Sequence, residues 1–185
     1  AQSGETHSNR MFFVVRSSHP GRDSKILLQL AANTYNAYNG WGGFSLYTYW
    51  GPAHWDKVHE PGDELGRRVS FQRPFTGIDR NWELPFIQWA ERNGYRLDYA
   101  INSDLEFHPE ILEQYKLVLS VGHDESWSAP MRDHLEAYIA SGGNVAFFSG
   151  NTCCWQVRSE DDGNDLVCWK EAYKQDPLCK PEGHP

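Results

Sequence analysis

The sequence predicts a three-layer α/β domain with a mainly parallel sheet at its centre. Three observations carry this. Apolar runs that are continuous rather than alternating recur through the chain, as strands buried on both faces require. Stretches with helical spacing and helix start and stop signals fall between them. The connections are short, which favours right-handed βαβ units. At 185 residues the chain suits one domain, or two at most.

The elements follow in order. MFFVVR (11–16) reads as a short strand, ended by the turn Ser18-His19-Pro20-Gly21. KILLQLAANT (25–34) is the first buried run, with the strand placed at 25–33. Residues 35–80 are rich in Gly, Pro, Trp and Tyr, show no helical period, and read as one long functional loop. RRVSF (67–71) makes a short strand within it. NWELPFIQWAERNG spaces Leu84, Ile87, Trp89 and Ala90 as a helix does, with Pro85 in its first turn and Gly94 as its stop. YRLDYAI (95–101) is a strand, HPEILEQY a short helix begun by Pro109, and KLVLSVG (116–122) a buried strand. SAPMRDHLEAYIASGG has Ser128 as N-cap, an apolar face of Met131, Leu135, Tyr138 and Ile139, and Gly142 at its end. NVAFFSG (144–150) is the last buried strand, and RSEDDGNDLVCWK a hairpin turning at Asp162-Gly163. Residues 1–10 read as a flexible N-terminal segment, 11–175 as the α/β domain, and 176–185 as a tail open to continuation in further sequence.

Composition narrows the function. Lys plus Arg number 17 against 25 Asp plus Glu, a net charge of −8 that argues against nucleic acid as partner. No run has the apolar length of a membrane span. The four cysteines, Cys153, Cys154, Cys168 and Cys179, form no C-x-x-C pair and read as reduced thiols in a cytoplasmic protein. Aromatic residues make up 14% of the chain, a large apolar content with many polar tips.

Open α/β sheets bind ligands beyond the carboxyl ends of their strands. Three such ends carry chemistry: Asn33 to Asn39, Gly122 to Glu125, and Ser149 to Thr152. His123 and Glu125, two apart in extended chain, project to one side and can share a metal or act as an acid/base pair. The plainer alternative has Glu125 capping the following helix and His123 bonded to backbone. Tyr38 is either loop packing or a hard anionic ligand suited to iron, with Gly40, Gly42 and Gly43 free to bend around such a site. Asn151 can donate to a substrate carbonyl or oxyanion, or simply cap a turn. Lys170 follows the apolar run LVCW, which would hold its ammonium inward; a surface position is the common alternative.

NTYNAYNGWGGFSLY (33–47), VGHDESWS (121–128) and GGNVAFFSGNTCCWQVR (142–158), with FFVVR at 12–16, resemble the catalytic region of the N,N-dimethylformamidase large subunit and its relatives. The resemblance implies a glutamine-amidotransferase-like, flavodoxin-like α/β domain. It implies hydrolysis of a small amide to an amine and a carboxylate, and one iron, in the ferric state, held by two tyrosines and a glutamate. Glu125 matches the glutamate and His123 its neighbour; Tyr38 matches one tyrosine, with Tyr47 the fallback; Asn151 and Lys170 match residues lining the substrate pocket. In the family the other tyrosine lies upstream of the FVVR strand, where this chain has no Tyr, and a catalytic glutamate would fall beyond Pro185. The chain is therefore expected to be a fragment or a reduced homologue. A small partner subunit and further copies in an oligomer are expected too, as is an apolar rim of Trp41, Trp127 and Trp155. The second reading is a non-catalytic module whose aromatic loop binds a carbohydrate or another subunit. The third is a cysteine enzyme on Cys153 or Cys154, for which the G-x-C-x-G pattern is missing.

Overall fold

Four apolar strands pair side by side to form the sheet that organises the domain: β1 (Ile26–Leu30), β3 (Asp98–Ile101), β4 (Leu117–His123) and β6 (Asn144–Gly150). Their order is β3-β1-β4-β6 and every pairing is parallel. The computed structural model describes residues 12–47, 67–74, 77, 78 and 80–179. The segment 1–10, much of the loop 35–80 and the tail beyond 179 lie outside the described residues.

Alternate residues of each strand point to opposite faces. Leu27, Ala100 and Val118 meet Leu105 of α3 (Asn102–Phe107) and Met131 and Leu135 of α4 (Ala129–Ala140). Leu28, Leu30, Leu119 and Val121 face the other way, onto Phe86 and Ile87 of α2 (Glu83–Arg92) and onto Phe12 and Val14. Helices thus cover both faces. Burying one such leucine is worth roughly 1.5–3 kcal/mol, so the central strands carry much of the stability. In α4, Ser128 caps as expected, its Oγ accepting from the Met131 N–H at 3.3 Å, and Gly142 takes φ 96° just past the end.

A smaller sheet packs beside the first. Its order is β2-β8-β7-β5, from β2 (Arg68–Ser70), β5 (Ser126–Ser128), β7 (Trp155–Glu160) and β8 (Asp165–Val167). β7 and β8 form the expected antiparallel hairpin, and Asp161, Asp162 and Gly163 all adopt positive φ in its turn.

The structure corrects the sequence reading in three places. Residues 12–16 are extended but pair with no strand among the described residues; Phe12 and Val14 pack inward while Phe13 and Val15 stay exposed. The stretch after β1 is a helix, α1 (Ala32–Tyr38), not loop or strand. Five of its seven residues are buried. The Asn33 side chain, which could have competed for the local backbone, instead donates to the Ser126 carbonyl at 3.3 Å. Third, β6 is an edge strand, and Phe147 and Phe148 on it are exposed rather than buried.

Candidate functional site

The order of the sheet reverses between β1 and β4, because β1 connects outward to β3 on one side and the chain returns to β4 on the other. A crevice opens beyond the strand ends at such a point. β4 ends there through Gly122, whose φ is 89° and whose Cβ, if present, would lie 3.2 Å from Trp82 and Glu83. Only glycine permits that close approach of α2.

The next three residues alternate. Asp124 turns inward and is fully buried, accepting from Ser120 Oγ at 2.7 Å and Asn102 Nδ2 at 3.3 Å. Burial raises its pKa above the usual carboxylate value, against the pull of those donors. Its backbone N–H donates to the Gly150 carbonyl at 3.3 Å, and its carbonyl accepts from Trp127 Nε1 at 3.0 Å and from the Cys153 N–H at 3.2 Å. With Asp124 anchored inward, His123 and Glu125 both project into the crevice. Glu125 is fixed from α1: Thr34 Oγ1 accepts from the backbone N–H of Glu125 at 2.9 Å and of Ser126 at 3.2 Å.

The Glu125 carboxylate is nearly buried, and one oxygen gathers the site. Oε2 accepts from the Tyr38 hydroxyl at 2.9 Å and the Tyr47 hydroxyl at 2.6 Å, and His123 Nε2 lies 3.5 Å away. The two phenol rings stack with centroids 4.0 Å apart and planes 11° from parallel. Burial, then the bond to Glu125, pushes the Tyr38 phenol up to about 12, and pushes Tyr47 higher still. Asn151 Nδ2 sits 3.3 Å from His123 Nε2. The imidazole therefore stands between a carboxylate and an amide; which way its proton points depends on the tautomer.

Arg73 places the loop that delivers Tyr47. Its guanidinium donates to the carbonyls of Asn39, Trp41 and Phe44 at 2.9, 3.1 and 2.8 Å, and to Asn36 on α1. Leu46 then docks on α1, its N–H bonded to the Ala37 carbonyl at 2.9 Å. Sequence reasoning missed Arg73 and Thr34. Neither sits in a motif; the partners Arg73 holds in the Tyr47 loop and α1 are 29 to 37 residues away, and those of Thr34 are 91 or 92 away.

Of the residues singled out from sequence, Tyr38, Tyr47, His123, Glu125 and Asn151 converge. Lys170 reaches the same group from another direction. Its Nζ lies 3.1 Å from the centroid of the Tyr47 ring, and it lines a neighbouring cavity of about 470 Å³ with Trp155, Trp169 and Tyr173. Trp127 does not join a rim; it is buried in the core under α4. Trp41 is exposed and Trp155 lies beside Lys170. Cys153 is a poor nucleophile, its thiol pushed up to about 11 by partial desolvation. No three His, Cys, Asp or Glu side chains gather as a metal cluster among the described residues. The convergent donors are two phenols and one carboxylate.

The chain is thus an α/β domain with a crevice at the strand ends in which a carboxylate, two phenols and an imidazole meet. A family model described as N,N-dimethylformamidase beta subunit-like, C-terminal, matches residues 2–184. The chain belongs to that family. The N,N-dimethylformamidase beta subunit of an Alcaligenes species is 35% identical over 86 residues, covering 44% of this chain and 11% of the relative. That of Paracoccus aminophilus is 34% identical over 98 residues, covering 50% and 12%. The matched segments thus cover only about a tenth of the length of these curated relatives.

Proposed function

We propose that the chain carries the metal-binding centre of an iron-dependent hydrolase of small amides, which adds water across a C–N bond to give an amine and a carboxylate. One observation carries this reading: two tyrosine hydroxyls meet one nearly buried glutamate oxygen beside a histidine. Tyr38, Tyr47 and Glu125 are all hard oxygen donors, and their donor set fits ferric iron better than zinc or copper. A cation among them reverses the electrostatics that now hold both phenols protonated. Tyr47 supplies the second phenol of that donor set. Bound iron supplies Lewis acidity toward a carbonyl oxygen or a water.

The chain's own groups do the rest. His123 Nε2 accepts a proton from the attacking water and returns it to the departing nitrogen. Asn151 Nδ2 donates to the oxygen that gains charge as the carbonyl carbon becomes tetrahedral. Lys170 adds a positive charge on the Tyr47 side of the centre. The four-strand order, which matches that of flavodoxin-like sheets, supports a glutamine-amidotransferase-like assignment of the fold. The relatives' designation as beta subunits and the exposed edge strand β6 support a partner subunit. The exposed thiols of Cys153 and Cys154, which form no disulfide, support a reducing, cytoplasmic setting.

Metal analysis with visible absorption tests the reading. The purified protein is expected to hold one iron per chain and to show a tyrosinate-to-ferric charge-transfer band. Amide hydrolysis by rigorously iron-free protein would overturn it.

A further inference from the structure

The crevice that holds His123 and Asn151 extends into a second feature that the chemistry above does not use. It is a cleft of about 730 Å³ whose walls are Trp82 and Phe86 of the α2 region and Val121 and Phe148 of the sheet. Its floor is backbone. Gly122, opposite Ser149, and Gly150, opposite His123, lie one step apart on the paired strands β4 and β6, and neither carries a Cβ. Trp82 is 51% exposed and Phe148 63% exposed, so both present ring surface to whatever enters. The Phe86 and Phe148 rings are 6.3 Å apart, and the Trp82 ring stands 6.2 Å from the His123 imidazole. No Lys, Arg, Asp or Glu lines the cleft among the described residues.

From this shape we infer that the preferred substrates are amides bearing an aromatic group on nitrogen, an inference that rests on the amide-hydrolase reading of the site. His123 and Asn151 meet an amide group at one end of the cleft; apart from Asn81, the remaining lining is apolar and aromatic side chain or glycine backbone. A small dialkyl amide would fill the polar end and leave the Trp82 and Phe148 rings in water. An N-aryl amide places its ring between them, where aromatic rings attract each other beyond simple burial. The absence of lining charge disfavours acidic or basic substrates, whose charge would lose its hydration without a partner. The glycine floor lets a flat ring lie close to the sheet, which any side chain at Gly122 or Gly150 would prevent.

The test compares N-phenylformamide with N,N-dimethylformamide on the full chain, by kcat/KM and by quenching of tryptophan fluorescence. N-phenylformamide is expected to show at least about a tenfold higher kcat/KM and a tenfold lower Kd. Trp82→Ala and Phe148→Ala are each expected to lower the ratio of the two kcat/KM values by about tenfold. Phe13→Ala, which removes an exposed ring outside the cleft, should leave the ratio as it is. Equal Kd values for the two amides, or an unchanged ratio in both cleft variants, would overturn the inference. If neither amide is hydrolysed, the hydrolase reading fails, and the Kd comparison still decides whether the cleft selects an aryl group.

Discussion

Helix α1 carries two tyrosine–glutamate pairs one turn apart, and they differ in one respect. Tyr35 donates to Glu83, which is 1% exposed, and the pair ties α1 to α2 inside the protein. Tyr38 donates to Glu125, but its own ring is 47% exposed and its hydroxyl shares the carboxylate with Tyr47. The chemistry is the same, a phenol against a carboxylate. What separates a structural tie from a candidate centre is access, together with the neighbours that access permits: His123, Asn151 and the cleft. The sealed pair has its carboxylate out of solvent's reach. The open one brings two phenols and an imidazole to one carboxylate oxygen.

That contrast can be broken by substitution. The largest effect belongs to the open pair. Glu125→Gln keeps the shape but removes the charge that holds a hard cation, so iron content and hydrolysis should both be lost. Full iron occupancy in this variant, measured by metal analysis, would sink the proposed centre. Next comes the core. Leu119→Ala should lower the unfolding free energy in urea by about 2–5 kcal/mol, while iron per folded chain stays as in wild type. The sealed pair ranks third. Tyr35→Phe leaves Glu83 short of a donor and should cost roughly 1–3 kcal/mol, again with iron retained. Loss of iron here would mean that the two pairs are not separate.

The smallest effect is a pH dependence in metal-free protein. The Tyr38 phenol is raised to about 12, above the ordinary tyrosine value of 10.0. Its contribution to stability is complete below the unfolded value and is lost as pH climbs from about 10 to 12, because the unfolded state ionises first. Urea midpoints measured across that range should fall, and fall less steeply in Tyr38→Phe. Tyr47, raised further by burial and Glu125, begins to lose its contribution at the same pH and retains part of it beyond that window.

Most of the sheet was legible because its strands are continuous apolar runs between strong punctuation. Gly94, Ser128 and Gly142 mark boundaries that the structure keeps. α1 was not legible. Its Asn and Thr residues look like loop, and they become helical because Asn33 and Thr34 find partners about ninety residues away. β6 was misjudged for a related reason: apolar composition does not tell a central strand from an edge. At the site, His123 and Glu125 could be found from their place at a strand end. Tyr47 was visible only as a fallback to Tyr38, since nothing local to either tyrosine shows that both reach the same carboxylate, 87 and 78 residues away. Arg73 left no local signal, because its role is to bridge carbonyls that only folding brings together.

The hydroxyl of Thr34 has a mechanical meaning. Thr34 and Tyr38 lie one turn apart on α1, so the same rigid rod grips the Glu125 backbone at one point and offers a phenol to its carboxylate at another. When thermal motion displaces α1, both jaws of this clamp travel with it. The spacing between phenol and carboxylate is thereby insulated from breathing of the surrounding fold, and the tolerance of the centre is set by one helical turn rather than by the whole domain.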